Sequence, residues 1–422
     1  MSKVVCCAAS SLNRDIYLDT KYFSLFSPPP IVHDNIGYIA PTLFKDIQKM
    51  GINPSVEVWD FTAIALSVDA ADKYVLRNES ADGWTRVIDL SIAINQPEKW
   101  DARRKDIETL LRFLTGDFWT LHFLPGGVNP PITNIRINRE VDSVCLLSGG
   151  VDSLVGAIDL VSLGYRPILV SQTIRGDKYN QKLFASELVA ENQHFQWSCT
   201  INHKGKTEPS TRGRSIVFFA YALLATSAIP TNIESPAKIY VPENGFISLN
   251  IPLGPGRIGS LSTKTTHPVY MKALQDLWNA IGISVQLICP YQFKTKGEML
   301  VECINQPLLH RLVDFAVSCG KYRRYGYKHC GTCVPCLVRR AAYIKAGMDD
   351  NSRKGYVREH IISTPDVSAV ATSYTKYKTH GIKILTGGHL SFASHDSRVE
   401  YENVIARGMD ELGVLLERHN IL

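Results

Sequence analysis

The hexapeptide from Ser148 to Ser153, Ser-Gly-Gly-Val-Asp-Ser, places two glycines, two hydroxyls and a carboxylate between two apolar segments. Glycines let the backbone approach a ligand closely, and successive N–H groups at a helix start form a cradle for phosphate oxygens. The two serine hydroxyls can donate hydrogen bonds to the same oxygens. Because Asp152 alone would repel phosphate, we expect Mg²⁺ near its carboxylate. The predicted nucleotide-binding residues are Ser148, Gly149, Gly150, Val151, Asp152 and Ser153.

A cysteine cluster lies further along the chain. Cys330, Cys333 and Cys336 are each separated by two residues, and Cys319 precedes them. Four thiolates suit tetrahedral Zn²⁺, and a site with four protein ligands is closed and structural. A four-iron cluster would want another cysteine four positions after Cys336, where Arg340 stands. We therefore predict a zinc element over residues 319–336.

The elements that position these residues alternate from Val141 onward. The predicted strands are Val144–Leu147, Pro167–Thr173, Trp197–Ile201, Ile239–Pro242 and Ser284–Cys289. The predicted helices are Leu154–Leu163, Asn180–Asn192, Ser215–Ser227 and His267–Ile281. This rhythm predicts an α/β fold with a doubly wound parallel sheet, which binds ligands at the carboxyl ends of its strands.

Residues 1–140 predict a separate N-terminal α+β domain, with no catalytic pattern, for partner recognition. Its predicted elements are helices at Asp60–Leu76 and Trp100–Leu114 and strands at Trp84–Ile94 and Phe118–Leu124, followed by a linker at Pro125–Asn134. The second predicted domain spans residues 141–350, and residues 351–422 form a helical extension. Its last helix, about Arg398–Arg418, carries a stripe that we expect to pack on the main body: Ile405, Met409, Leu412 and Leu416.

The composition is that of a globular protein, with 422 residues, 45% of them hydrophobic, and a formal net charge of +6. This charge fits anionic ligands such as nucleotides but is too small to indicate nucleic-acid binding. The N-terminal apolar run is too short for a signal peptide. The longest apolar segment, Ile216–Ile229, is shorter than the roughly 20 residues needed to cross a bilayer. We expect a cytoplasmic protein with no membrane partner.

The hexapeptide matches the SGGxDS signature of the PP-loop ATP pyrophosphatases and lacks the Gly-Lys-Ser/Thr ending of a Walker A loop. Together with "CGTCVPCLVRRAAYIKAGMDD", it resembles the QueC-like family of 7-cyano-7-deazaguanine synthases over about Val141 to Asp350. The resemblance implies an adenine nucleotide α-hydrolase-like fold, ATP with Mg²⁺, one Zn²⁺ and a 7-carboxy-7-deazaguanine substrate. In that chemistry the carboxylate is adenylated, ammonia forms an amide, and a second ATP drives dehydration to the nitrile.

The interval from Val241 to Tyr270 departs from the synthases, because their acidic "GYPDCRPEF" stretch has no counterpart here. This interval and the two flanking regions resemble the QueC-like components of the Qat anti-phage defence system and of some CBASS operons. That resemblance implies a protein partner from the same operon. The amine acceptor is then either ammonia or an amine on that partner, with an ATP-dependent C–N ligase forming AMP and pyrophosphate.

Further candidates surround the predicted phosphate site. Glu243 and Asn244 follow a strand and fall at its ligand edge, and the next loop is rich in glycine, hydroxyls and cations that could close over an intermediate. That loop supplies Arg257, Ser260, Ser262, Thr263, Lys264, Thr265, Thr266 and His267. The residues predicted to act in catalysis are Asp152, Arg212, Arg214 and Lys264, the three cations by stabilising charge on phosphates.

Three further side chains are predicted to lie near the ligand or the zinc site. Lys294 or Lys296 could contact phosphate, and Arg339 could approach the zinc thiolates or the ligand. Two other function classes stay open: a PP-loop enzyme that modifies tRNA, and a non-catalytic nucleotide-binding subunit of a defence complex.

Overall fold

The computed structural model describes residues 2–12, 16–173, 176–229, 235–253 and 264–422. The strands are β1 (Ser2–Ala8), β2 (Thr20–Leu25), β3 (Ile36–Ile39), β4 (Val87–Ala93), β5 (Phe118–Leu124), β6 (Ser143–Leu146), β7 (Pro167–Gln172), β8 (His194–Trp197), β9 (Ile201–Asn202), β10 (Ala237–Tyr240) and β11 (Val285–Ile288). The helices are α1 (Leu43–Lys49), α2 (Val56–Tyr74), α3 (Pro97–Asp101), α4 (Arg104–Thr115), α5 (Val151–Ser162), α6 (Lys178–Leu188), α7 (Arg214–Thr226), α8 (Gly245–Ser248), α9 (Pro268–Ile281), α10 (Lys296–Glu302), α11 (Gln306–Leu312), α12 (Val334–Ala346), α13 (Pro365–His380), α14 (Lys383–Thr386) and α15 (His395–Arg418).

The sheet that carries the predicted site confirms the doubly wound prediction. Its strands run in the order β11-β10-β6-β7-β8, and every pairing is parallel. Residues of β6 and β7 are buried throughout, as expected for strands covered on both faces. After β6, the chain adds β7 and then β8 on one side of it, and later adds β10 on the other side. The crevice at the carboxyl end of β6 is therefore the expected ligand position.

One predicted strand of this sheet is wrong. The segment Trp197–Ile201 divides, because Trp197 ends β8 while Ile201 begins the two-residue strand β9. β9 pairs antiparallel with β3, in the other sheet. Phe195 and Trp197 are buried in the core, while the residues before each of them are partly exposed. This alternation places β8 earlier in the sequence than the predicted strand Trp197–Ile201.

The N-terminal sheet differs from the predicted α+β arrangement. Its order is β5-β4-β1-β2-β3-β9, and β1 to β5 pair only in parallel. Strands β1 to β3 lay outside the predicted elements, since their partners are distant in sequence and their pattern is not strictly alternating. The predicted helix Trp100–Leu114 also divides, into α3 and α4.

Helix α2 joins the two sheets into one core. Its N-terminus is capped by Ser55, whose Oγ accepts the Val58 N–H at 3.3 Å. It packs against the N-terminal sheet and against α7, which lies on the second sheet. Residues on all its faces are consequently buried. The segment 125–142 contains no helix or strand, but the hydrophobic core is continuous across it. The domain limits stay predictions.

The C-terminal extension packs as predicted. Helix α15 lies against α12, α13 and α8, and the four stripe residues Ile405, Met409, Leu412 and Leu416 are all buried. Across the described ranges, no helix combines the length and apolar character that a bilayer crossing requires. The apolar segment that begins at Ile216 instead forms the buried helix α7.

Candidate nucleotide-binding site and metal centre

The loop between β6 and α5 has the geometry that its glycines predict. Gly149 has a φ of +93°, in the left-handed region that favours glycine, and Gly150 caps α5. The Gly150 N–H donates to Ser148 Oγ at 3.3 Å, and Ser148 Oγ donates to Ser153 Oγ at 3.1 Å. The first N–H groups of α5 have no partner within the helix, so this loop presents them to the crevice. These residues fit the triphosphate of a nucleotide.

Asp152 lies in a buried cluster of charged and polar side chains from three elements. The Lys296 ammonium at the start of α10 donates to Asp152 Oδ1. Asn244 Nδ2 donates to Asp152 Oδ2 at 2.6 Å, while Asn244 Oδ1 accepts the Ile247 N–H at 3.0 Å and caps α8. Glu243 belongs to the same cluster, since its Oε1 accepts from Asn244 Nδ2 at 3.4 Å. The structure thus gives Asp152 a protein counterion, Lys296, in addition to any metal.

The two carboxyl groups of this cluster are driven to opposite protonation states. Burial alone would raise the pKa of Asp152, but the Lys296 ammonium and the hydrogen bonds from Glu243, Lys296 and Asn244 hold it below its ordinary value. Burial, followed by the adjacent Asp152 charge, raises the pKa of Glu243 well above its ordinary value. Glu243 therefore holds the proton and Asp152 the negative charge. Binding of Mg²⁺ would displace the Glu243 proton, and the two carboxylates facing one crevice would then supply oxygen ligands of the kind that this ion uses.

Two adjoining cavities open on the loop. One has a volume of about 220 Å³ and contacts Lys296 and Ser318, and the other has a volume of about 370 Å³ and contacts Gln172 and Arg214. Both are lined by Ser148, Ser153, Pro242, Glu243 and Ile247. Their combined size falls within the range of about 300–1,000 Å³ that is usual for small-molecule sites.

The predicted catalytic cations are not brought to one point. Arg214 and Arg212 line the 370 Å³ cavity, but the Arg212 side chain donates to the Thr115 carbonyl at 3.1 Å. Its guanidinium lies 5.0 Å from the Trp84 ring centroid. Lys264 lies 4.5 Å from the Phe113 ring centroid, in a neighbouring cavity that Arg212 also reaches. Lys296, rather than Lys294, joins the Asp152 cluster, since Lys294 pairs with Glu302.

The predicted loop over the site is described only in part. Arg257, Ser260, Ser262 and Thr263 lie outside the described residues. Thr265 and Thr266 line the 370 Å³ cavity, and Ser248 Oγ donates to Thr266 Oγ1 at 3.2 Å. This end of the loop borders the crevice, as predicted.

The four cysteines form a compact buried cluster. Their sulfur atoms lie within 4.8 Å of one another, and the Cys319–Cys333 and Cys330–Cys336 pairs are 3.9 Å apart. Thiolates bound at about 2.3 Å to a tetrahedral zinc ion are separated by about 3.8 Å. The four side chains therefore fit Zn²⁺ as a closed structural site.

The segment that leads into the four-cysteine element contacts the nucleotide loop. The Val317 N–H donates to the Gly149 carbonyl at 3.0 Å, and a Cβ on Gly150 would approach the Val317 carbonyl oxygen to 3.3 Å. Ser318 lines the 220 Å³ cavity, and its N–H donates to His329 Nε2 at 3.2 Å. Sequence reasoning missed this contact, because a separation of 168 residues leaves no signal in the spacing.

Arg339 does not approach the thiolates or the ligand crevice, contrary to its predicted role. It is fully buried, pairs with Asp350 at 3.0 Å and donates to the Ala316 carbonyl at 2.7 Å. It thus supports the backbone that leads into Val317. Gln181 was also missed: its Nε2 donates to the carbonyls of Ser148 and Gln172, and a lone buried amide in a helix gives no motif.

Comparison with known proteins agrees with this geometry. The chain is 26% identical over 239 residues to a 7-cyano-7-deazaguanine synthase from Xylella fastidiosa, and the match covers 50% of this chain and 94% of that protein. A synthase from Thermoplasma acidophilum is 24% identical over 237 residues, covering 49% and 90%. One from Legionella pneumophila is 26% identical over 236 residues, covering 50% and 96%. The chain is thus distantly homologous to these synthases over about half its length. No family model matches the chain, and no solved structure does.

Proposed function

We propose that this protein is an ATP-dependent enzyme that adenylates the carboxylate of a 7-deazaguanine, 7-carboxy-7-deazaguanine, and transfers the acyl group to an amine. The observation that carries the proposal is the loop from Ser148 to Ser153, whose Asp152 contacts Lys296, with Glu243 lining the same cavity. Distant homology to proteins named 7-cyano-7-deazaguanine synthase supports the substrate class.

The chain's own groups supply binding and orientation. The amides of Gly150 and of the first turn of α5 receive the ATP phosphates, and Arg214 faces the adjoining cavity, where the deazaguanine ring is placed. Mg²⁺ would be held by Asp152 and by Glu243 after loss of its proton, and it would neutralise phosphate charge.

The proposed chemistry has two balanced steps. A carboxylate oxygen attacks the α-phosphorus, the α–β bond breaks, and pyrophosphate leaves. The amine nitrogen then attacks the acyl carbon, the bond to AMP breaks, and the amine proton passes to water. Glu243 lines both cavities, so the proposal has the two partners meet beside this side chain.

We propose an amine on a protein encoded in the same operon as the acceptor, within an anti-phage defence system in the cytoplasm. The alternative acceptor is ammonia, which would make the protein a 7-cyano-7-deazaguanine synthase. Support for a macromolecular acceptor comes from the N-terminal sheet and the C-terminal helices, since the synthase homology covers only about half the chain.

The deciding experiment combines the purified protein, ATP, Mg²⁺, 7-carboxy-7-deazaguanine and either ammonium or the operon partner. Release of pyrophosphate that requires the deazaguanine tests adenylation, and intact-mass measurement of the partner tests conjugation. An unchanged partner mass together with nitrile formation would reject the protein acceptor. No pyrophosphate under any condition would favour a non-catalytic subunit, and turnover that requires tRNA would favour a tRNA-modifying enzyme.

A further inference from the structure

A third cavity, of about 340 Å³, lies between α4, the start of α9 and the segment 388–392 of the C-terminal extension. Nitrogen-bearing side chains dominate its polar lining: Arg112, Arg212, Lys264, His267 and His389. Within the described part of the chain, no carboxylate lines it. A partly buried cavity with cations and no acid has an unmet requirement for negative charge, because unpaired buried charge is costly.

Arg212 gives the clearest sign of a missing partner. Its side chain is buried, with a relative exposure of 7%, and its Nη1 donates to the Thr115 carbonyl. Its Nε and Nη2 atoms are buried without a hydrogen-bond partner among the described residues. It makes no salt bridge there either, because Asp117 pairs with Arg77 and Arg86.

The guanidinium of Arg212 is held at the wall of this cavity. The face of the guanidinium lies over the Trp84 ring. Its Nη1 lies close to Gly116, which lines the cavity, since a Cβ added to Gly116 would be 3.5 Å from Nη1. A guanidinium fixed by a ring and a carbonyl is pre-organised to donate its remaining N–H groups to an oxyanion.

Lys264 and His267 present further donors. Lys264 contacts the Phe113 ring and has no ion pair with any described residue. The His267 ring lies between Phe113 and Phe392, with both centroids 5.1 Å away. Its Nδ1 accepts the Val269 N–H at 3.2 Å, which assigns the ring proton of neutral His267 to Nε2, a hydrogen-bond donor.

We propose that this cavity is a second anion site that binds a phosphate group, separate from the nucleotide loop. A tetrahedral oxyanion offers enough acceptors for the guanidinium, the ammonium and the imidazole N–H together, whereas a carboxylate offers two oxygens. The inference does not rest on the proposed function: Arg212 also lines the 370 Å³ cavity, but Lys264 and His267 do not, and none of the three hydrogen-bonds to Asp152.

The test titrates inorganic phosphate into the full-length protein by calorimetry at low ionic strength. We expect saturable binding that Lys264→Gln weakens about tenfold, the loss typical of one charge-assisted hydrogen bond. Arg112→Gln, on an exposed side chain of α4, should weaken it by a smaller factor. Lys272→Gln is the matched control, because Lys272 is on α9 and pairs with Asp276 at 2.7 Å outside this cavity.

Other outcomes separate this site from the nucleotide loop and from other anions. Phosphate binding that Ser153→Ala abolishes but Lys264→Gln leaves unchanged would assign the ion to the loop and overturn the proposal. Absence of binding at millimolar phosphate would also overturn it. Acetate binding as tightly as phosphate would identify a carboxylate site instead. Binding that survives Ser153→Ala supports the second site even where adenylation activity is absent.

Discussion

Two buried acid clusters in this molecule have contrasting surroundings. At the N-terminal sheet, Asp117 accepts from Nη1 and Nη2 of Arg77, both at 2.9 Å, and from Arg86 at 2.6 Å. In the second sheet, the carboxyl groups of Asp152 and Glu243 share one cation among the described residues, Lys296.

The difference separates a structural cluster from the one that we propose to be functional. At Asp117 both carboxylate oxygens accept hydrogen bonds from Arg77 and Arg86, so the cluster holds its elements together. At Asp152 the acids outnumber the cation, one carboxyl keeps a proton, and two cavities adjoin it. Perturbed carboxyl groups in a crevice are typical of reactive sites.

Removal of zinc should have the largest effect of these changes. It tests how far the Asp152 cluster depends on the neighbouring four-cysteine element. Binding of a structural zinc contributes about 10–16 kcal/mol in zinc-finger peptides. We expect Cys336→Ser to lose bound zinc, to lower the unfolding temperature and to weaken ATP binding, because Val317 then no longer fixes Gly149. Metal analysis and calorimetry measure this. Cys289→Ser, outside the cluster, should retain zinc, and full zinc in Cys336→Ser would contradict the assignment.

The structural cluster is broken by Asp117→Ala. This change removes the carboxylate that pairs with both Arg77 and Arg86 and leaves Asp72 as the remaining acid beside the two buried guanidinium groups, so we expect a loss of about 3–5 kcal/mol in the free energy of unfolding. Urea denaturation measures it. The control is Asp101→Ala, whose half-exposed carboxylate pairs with Arg104 at 3.5 Å and should cost less than about 1 kcal/mol. Equal losses in the free energy of unfolding for Asp117→Ala and Asp101→Ala would contradict a structural role for the Asp117 cluster.

The functional cluster is tested by Asp152→Asn. We expect deazaguanine-dependent AMP formation to fall about 100-fold or more, since the charge that organises Lys296 and the phosphates is lost. The comparison variant is Asp159→Asn on the same helix, whose carboxylate accepts from Tyr291 at 2.5 Å. That variant should lose stability but keep its turnover. Full turnover in Asp152→Asn would remove Asp152 from the mechanism.

A smaller effect concerns Glu411, which supports the second cluster from α15. It accepts from the hydroxyl of Thr295, the cap of the helix that begins with Lys296. Burial, with the nearby charge of Glu298, raises the pKa of Glu411 from 4.5 to about 7. The folded state therefore holds this proton more tightly than the unfolded chain, and the resulting stability is complete below pH 4.5 and lost as pH rises through 7.

Glu411→Gln should abolish this pH dependence. We expect a difference of about 2 to 3 kcal/mol between wild type and variant in how the free energy of unfolding changes from pH 4.5 to pH 8. Denaturation curves at several pH values measure it. Glu417→Gln, an exposed change on the same helix, provides the baseline. Parallel pH profiles for wild type and Glu411→Gln would show that the carboxyl does not titrate in this range.

The sequence alone determined the parts of this protein that depend on local chemistry. Adjacent residues form the loop at Ser148–Ser153, spacing identifies the ligands at Cys330, Cys333 and Cys336, and alternation of strands and helices predicts the second sheet. Such patterns are local because each requires particular residue types within one turn or one element.

Only the tertiary structure decided the rest. Lys296 reaches Asp152, Val317 contacts Gly149, and Arg212 turns from the nucleotide loop toward Thr115, all between residues far apart in the chain. The parallel pairing of β1 to β5 is likewise non-local. The packing of α2, α7 and α10 around the sheets determines which cation pairs with which carboxylate. Composition and spacing do not distinguish these pairings, because they depend on which side chains are buried together.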